Sequence, residues 1–373
     1  MRRRIVVVVG ARPNFMKMAP VIRALERRHD LFEPLVVHTG QHYDAALSRV
    51  FLDELGLGEP SVHLGIGSGS QAQQIARVVE RMEPVLTELE PDLVLVAGDV
   101  NSTLGAAIAA STLRIPLGHV EAGLRSFDAT MPEETNRRLT DALSQLLFIH
   151  SPEARDNLLR EGYPEAAIHD VGNTMIDTLV AMRERIAAER AAERHGLTAG
   201  AYLLATLHRP ALVDGPLLEH AFRRLEALSE ELDVVLPVHP RTRRALDVLG
   251  LRSHAPGLRL LEPLPYVEFL SLVADARAVL TDSGGIQEET TYLGVPCFTL
   301  RDNTERPITV EAGTNVLLGL DPDRIAEIPG LLSAARARAT TVPPLWDGHA
   351  AERIADVLAE ASPHEAVTVA ASP

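Results

Sequence analysis

Ten ionisable side chains fall where a chain alternating between strands and helices would place its chemistry. In the first half they are Asp99, Glu121, Arg125, Glu133 and Glu134; in the second, His208, Arg209, His239, Arg241 and Glu289. Carboxylates forced together raise one another's pKa, which suits proton transfer near neutral pH. Any one of them alone reads more simply: His119 and Glu121 alternate on a strand end and His239 precedes Pro240, as structural residues often do. A second kind of chemistry belongs to residues 278–291, where three apolar residues reach Thr281-Asp282-Ser283, then Gly284-Gly285, then a helix-forming segment. Glycines let the backbone approach a ligand closely. The free N–H groups of a helix's first turn, with the positive end of its dipole, favour an anion. Glu289, one turn on, can accept hydrogen bonds from sugar hydroxyls. The plain alternative is an Asp/Ser helix cap. Acids in one half and an anion cradle with arginines in the other point to a phosphorylated, hydroxyl-rich ligand such as a nucleotide sugar.

These residues need a scaffold, and the hydrophobic pattern supplies one. Residues 5–9 form a continuous β-branched run, the mark of a buried parallel strand. A helix is expected over 19–28, and strand-then-helix units recur at 33–39 with 44–55 and at 93–97 with 102–112. Further strands are expected at 117–120, 146–149 and 167–171. This alternation predicts a doubly wound parallel sheet, whose ligands sit at the carboxyl ends of the strands. Arg12, Lys17, Gln41, His42, Asp99 and Glu121 all follow such ends. From 173 to 195 the charged, alanine-rich texture predicts a solvated helix near a domain connection. A second alternation follows at 202–206, 234–238, 258–261, 278–280, 297–300 and 316–318. The expected organisation is an N-terminal Rossmann-like domain over 1–172 and a second over 173–350. A C-terminal helix in 351–373 is expected to pack back on the first domain before the tail frays.

Composition narrows the function. A chain of 373 residues exceeds one ordinary core, so two domains are the default. A formal charge of −15 argues against a nucleic-acid or anionic-membrane surface. The single cysteine, Cys297, fits a reducing compartment and, in its apolar setting, reads as buried filler. The apolar run after Arg2-Arg3-Arg4 is too short for a signal peptide, and no stretch approaches the ~20 apolar residues of a membrane span. A cytoplasmic protein is expected. Gly10 to Lys17 lacks the spacing of a phosphate loop, and no Gly-x-Gly-x-x-Gly fingerprint follows the first strand. With no His-Glu-x-x-His and no Cys/His cluster, neither a metal nor a nicotinamide cofactor is expected.

Residues 98–103 (GDVNST), 119–125 (HVEAGLR), 131–137 (MPEETNR), 172–177 (GNTMID), 282–289 (DSGGIQEE) and 303–307 (NTERP) together resemble one family, the non-hydrolysing UDP-N-acetylglucosamine 2-epimerases. The resemblance runs from about residue 6 to residue 318. It implies an α/β GT-B fold, two Rossmann-like domains with parallel sheets facing a central cleft, and interconversion of UDP-N-acetylglucosamine and UDP-N-acetylmannosamine without a cofactor. It also implies a homodimer. On this reading Ser283, Gly284 and Gly285 hold the diphosphate, Glu289 takes the ribose hydroxyls and Phe269 lies by the uracil. Arg12, His208 and Arg306 counter phosphate charge. Lys17, Gln41, His42, Arg125, Arg137 and His239 complete the expected substrate-binding set. Asp99, Glu121 and Glu133, with His208, are the expected catalytic residues. Which acid takes the proton and which returns it stays open. Two departures stand out: Leu212 where asparagine is common, and Gln71 where histidine is frequent. Some relatives bind a second nucleotide sugar as activator around positions matching Gln41, Gln74 and His239. The alternatives are an epimerase of a modified UDP-sugar such as a diacetamido uronic acid, a GT-B glycosyltransferase, and a non-catalytic UDP-sugar sensor.

Overall fold

The computed structural model describes residues 2–40, 54–253, 255–337 and 340–361, without the side chains of Arg12 and residues 335–337. Residues 44–53 of the helix expected at 44–55, the residues Gln41 and His42, and the tail beyond 361 therefore lie outside the described residues, as does the Arg12 side chain. The chain divides into two compact units. One holds Met1–Thr178 and Pro344–Pro373, the other Leu179–Pro343.

The first unit is built on a seven-stranded sheet: β1 (Arg3–Val9), β2 (Phe32–His38), β3 (Val62–His63), β4 (Leu93–Ala97), β5 (Leu117–Val120), β6 (Leu146–Ile149) and β7 (Ile168–Asp170). Its order is β3-β2-β1-β4-β5-β6-β7, and neighbouring strands pair parallel. Ile5 to Val9 are buried on both faces because helices cover both sides of such a sheet. Val6 pairs with Leu35 on one side and Val94 on the other. Helix Gln71–Leu89 closes part of one face with Val78, Met82 and Leu86. It starts at a capping box, in which Ser70 accepts from Gln73 N–H and Gln73 reaches back to Ser70 N–H.

The segment from Pro344 returns to this unit and is tied down by polar bonds. Trp346, the chain's only tryptophan and 1% exposed, donates Nε1–H to the His150 carbonyl at 2.8 Å. Helix Ala350–Glu360 receives the Asp177 carboxylate at its N-terminus, from Ala350 N–H at 3.1 Å and Ala351 N–H at 2.7 Å. Arg3 donates to the carbonyls of Leu358, Ala359 and Ala361 at its other end, satisfying groups a helix end leaves open.

The second unit repeats the plan with six strands: β8 (Tyr202–Thr206), β9 (Asp233–Pro237), β10 (Leu258–Leu261), β11 (Ala278–Thr281), β12 (Cys297–Thr299) and β13 (Asn315–Leu317). The order is β10-β9-β8-β11-β12-β13, again parallel. Its core gathers Leu203, Val234, Leu236, Leu280 and Phe298 from the sheet and Leu218, Phe222 and Leu225 from helix Leu217–Leu228. Cys297 is fully buried, and burial pushes its thiol up to about 11, so it stays neutral filler.

In both sheets the order reverses at one place, between β1 and β4 and between β8 and β11. Such a reversal opens a crevice at the carboxyl ends, where ligands of doubly wound sheets bind. The residues following those four strands are therefore the ones to inspect for chemistry. A first prediction concerns the frame: Trp346→Phe should cost about 1–3 kcal/mol by leaving the buried His150 carbonyl without its donor. Urea unfolding followed by circular dichroism measures this, and an unchanged midpoint would remove the indole bond from the account.

Candidate active site

In the first unit, the loops after β1, β4 and β5 converge. Lys17, on helix Arg12–Arg27, forms an ion pair with Glu121, and both side chains are nearly out of water. Glu121 sits immediately after β5 with φ of 69°, a left-handed backbone that is uncommon for a non-glycine residue. Strain of this kind persists only where the surroundings over-determine it, and it clusters at functional sites. Here the N–H groups of Glu121 and Ala122 both donate to the Phe148 carbonyl, at 3.0 and 3.1 Å. Gly98 has φ of 64°, which favours glycine, and a Cβ on it would stand 2.8 Å from Lys17 Nζ and press on the lysine's end.

Asp99 follows that glycine, half-buried, and is paired with Arg137. Arg137 also holds Glu134 at 2.6 Å, and Glu134 in turn accepts from Ser126 N–H at 2.8 Å. Of the adjacent acids on helix Pro132–Leu143, Glu134 is thus committed to the Ser126 turn, while Glu133 is half-buried. An amide chain leads to the Asp99 backbone: Gln71 donates to Asn136 at 3.2 Å, and Asn136 donates to the Asp99 carbonyl at 2.8 Å. Asn101 bridges Asn136 and Gln74, at 3.1 and 2.7 Å.

Beneath this lies His119, fully buried, with Nδ1 2.6 Å from Asp141 and Nε2 2.8 Å from the Gly98 carbonyl. Burial by itself raises the Asp141 carboxyl, but the His119 ring and the Arg125 guanidinium outweigh it and hold it below the usual range. Arg125, expected in the substrate-binding set, has its guanidinium buried against Asp141 at 2.7 Å, Glu161 at 2.8 and 2.7 Å, and the Leu124 carbonyl at 2.7 Å. Its donors are spent on the frame because the turn after β5 brings it over Asp141 and Glu161. Sequence reading missed His150, which follows β6. One of its ring nitrogens lies within 4.8 Å of a Glu121 carboxylate oxygen.

In the second unit, His208 follows β8 and Asp282-Ser283 follow β11. Helix Gly284–Leu293 begins at the glycine pair, with Ser283 as its extended N-cap and no side-chain cap bond. A Cβ on Gly284 would stand 2.6 Å from Arg306 Nη1 and 2.7 Å from Glu305 Oε1. The glycine therefore lets the helix start pack directly on a charge cluster. In that cluster Glu305 accepts from Arg301 at 2.7 Å and Arg306 at 2.5 Å and lies 3.7 Å from Arg209, while Arg306 Nε lies 2.9 Å from Glu288. Burial raises the Glu305 carboxyl, but Arg306, Arg301 and Arg209 outweigh it and hold it well below the carboxylate range. These five side chains bring three cations against two anions, an excess that suits an anion beside a helix N-terminus.

Glu289 is buried and accepts from Tyr266 O–H at 2.8 Å; Tyr266 opens helix Tyr266–Asp275, on which Phe269 is half-buried. No sequence signal singled out Tyr266. His239 caps helix Pro240–Val248, its Nδ1 accepting from Arg241 N–H at 3.2 Å, and its ring centroid is 5.8 Å from that of His208. Arg241 is spent on Asp214 at 2.8 and 2.6 Å.

Two doubly wound units, one presenting acids and a lysine at its switch point and the other a cationic helix start, have the character of an α/β enzyme. The model of the family UDP-N-acetylglucosamine 2-epimerase matches residues 23–359, and the chain belongs to that family. A UDP-N-acetylglucosamine 2-epimerase of Methanococcus maripaludis is 41% identical over 86% of this chain and 89% of its own. A UDP-2,3-diacetamido-2,3-dideoxy-D-glucuronate 2-epimerase of Pseudomonas aeruginosa is 40% identical over 96% and 99%. Among solved structures, the Methanocaldococcus jannaschii UDP-GlcNAc 2-epimerase in complex with UDP-GlcNAc and UDP aligns with a TM-score of 0.87 at 38% identity, covering 96% of this chain and 100% of that one. The fold is GT-B. No helix among the described residues is long and apolar enough to cross a membrane.

Two predictions follow from the charges. Lys17→Met leaves Glu121 without its buried cation and should cost about 3–5 kcal/mol in urea unfolding; an unchanged stability would mean the pair is not buried in solution. For Glu305, a folded pKa below the unfolded one contributes stability above about pH 4 and loses it as pH falls through the folded value. Glu305→Gln should therefore be less stable at neutral pH, and its stability should fall less steeply below pH ~4. Parallel acid-limb slopes for the two proteins would contradict this.

Proposed function

We propose that this chain interconverts UDP-N-acetylglucosamine and UDP-N-acetylmannosamine. The sugar C2 hydrogen is weakly acidic, since no carbonyl adjoins that carbon. The route that avoids a carbanion there eliminates UDP: the C2–H and C1–O bonds break, a C1=C2 double bond forms, and UDP leaves with the C1–O electron pair. Return of UDP to C1, with a proton delivered to C2 from the other face, completes the inversion. This needs proton-transfer groups and cations for the departing diphosphate. Asp99, Glu121 and Glu133 are the proposed proton-transfer groups, with Lys17 and Arg137 holding two of them in place. Ser283, Gly284 and Gly285 at the helix start, with Arg306 and His208, are the proposed diphosphate site. Glu289 is assigned to the ribose and Phe269 to the uracil.

The observation that carries the reading is Glu121: a buried acid held in a left-handed backbone against Lys17, at the carboxyl edge of the first sheet. A UDP-sugar sensor has no need of such a group, and a glycosyltransferase would need an acceptor site in its place. A cytoplasmic homodimer belongs to the same reading and rests on the family resemblance; light scattering tests the assembly. A second reading, epimerisation of a UDP-diacetamido uronic acid, is supported by the 40% identity to the Pseudomonas enzyme.

Incubation with UDP-N-acetylglucosamine alone in heavy water, followed by NMR, should yield the manno epimer with deuterium at C2. An unchanged substrate, alongside turnover of the diacetamido uronate, selects the second reading. Turnover only on adding an acceptor would overturn both.

A further inference from the structure

Between β8 and β11 the second unit contains a carboxylate that none of the preceding assignments uses. Asp282 is 1% exposed and directly follows the strand that leads into the glycine pair. Its Oδ2 accepts from two consecutive backbone N–H groups, His208 and Arg209, each at 2.8 Å. Its Oδ1 lies 2.9 Å from Nδ1 of the His208 ring. One carboxylate therefore hydrogen-bonds the main chain of this histidine and lies at ion-pair distance from its ring. The neighbouring turn is pinned as well. Thr281 Oγ1 accepts from Ser283 N–H at 2.9 Å and shares a hydrogen bond with Thr206 Oγ1 at 2.8 Å. Asp282 can thus move only if both switch-point loops move.

A carboxylate only accepts, so an approach of 2.9 Å is attractive only with a proton on His208 Nδ1, and the ring's remaining nitrogen is then Nε2. The side chain is 39% exposed, while the Asp282 carboxylate beside its Nδ1 is buried. His239, nearest in ring contact, has the opposite arrangement: its Nδ1 accepts from Arg241 N–H, which puts its own proton on Nε2.

We propose that Asp282 is a positioning residue, which fixes the proton of His208 on Nδ1 and presents Nε2 to the nucleoside diphosphate as it departs and returns. The assignment rests on the UDP-sugar reading above. Asp282 touches no substrate in this account. It acts through His208, whose ring it orients and whose positive charge it stabilises when Nε2 also holds a proton and donates to a phosphate oxygen. The arrangement follows the logic of a histidine aligned by a buried aspartate, with no covalent step added.

Asp282→Asn tests this. The amide oxygen can still take the two backbone N–H groups, but the amide NH2 then faces the ring and turns Nδ1 into an acceptor. With 15N-labelled histidine, and His208 assigned by its loss in His208→Gln, the wild type should show the proton on Nδ1 and Asp282→Asn should show it on Nε2. Turnover should fall about 10- to 100-fold in kcat, the scale of a lost charge-assisted hydrogen bond, with KM changed much less. In a His208→Gln background the same substitution should have almost no further effect on kcat, because the residue acts through the ring. Circular dichroism checks folding. Should Asp282→Asn not fold, Asp282→Glu, which keeps the charge and displaces it, goes through the same cycle. A wild-type His208 protonated on Nε2 alone, or an equal kcat loss with and without His208, overturns the proposal. If the wild type turns over neither UDP-sugar, the functional reading fails separately, and the tautomer measurement still decides the role of Asp282.

Discussion

A charge taken out of water without a partner costs several kcal/mol, and removing one partner of a buried pair is far more damaging than removing both. That constraint orders the first unit. Glu121 is 8% exposed and Lys17 7%, so removing either leaves the other's charge buried with less compensation. To bring them together, helix Arg12–Arg27 must start directly after β1, the turn at Gly98 must leave room for the lysine, and Glu121 must accept a left-handed backbone. Each of these is a local cost. They are offset by a core of β-branched strands buried on both faces and by polar groups such as His119 and Asp141, which brace the turn from below.

The second unit solves the inverse problem. Its cations outnumber the acids among the five charged side chains packed at the helix start, and Glu305 is what allows three guanidiniums to share a buried volume. Asp282 does for His208 what Glu305 does for the arginines: it fixes orientation by accepting from several donors at once. In both units the groups proposed to meet ligand stand beside buried charges that are paired with one another. Such pairing limits rotamer freedom, and so supplies the preorganisation that electrostatic catalysis requires.

The strand pattern was legible because it is continuous and apolar. The runs expected at 93–97, 117–120, 146–149, 202–206 and 258–261 coincide with β4, β5, β6, β8 and β10. The two-residue strand β3 was not, since Val62-His63 carries no period and owes its pairing to β2. Helix Arg12–Arg27 begins well before the expected residue 19: Pro13 sits in its first turn, where a missing N–H costs nothing. Among site residues, those in ordered motifs could be named, but their division of labour could not. Arg125 and Glu121 stand in one motif, yet one turns down into Asp141 and Glu161 and the other toward Lys17. Four residues of spacing do not encode that choice. Tyr266 and His150 were invisible for a different reason: each comes near its acid only through tertiary packing.

The two departures from the family pattern have different physical meanings. Leu212 is fully buried in the core of the second unit, so an apolar residue there is a packing choice and says nothing about the ligand. Gln71 is not buried in a core. Its amide begins the chain that runs through Asn136 to the Asp99 carbonyl, so a different side chain at 71 alters how the turn bearing Asp99 is braced. Of the two, only the change at 71 reaches a proposed proton-transfer group. An effect of substituting Gln71 would therefore originate in the placement of Asp99.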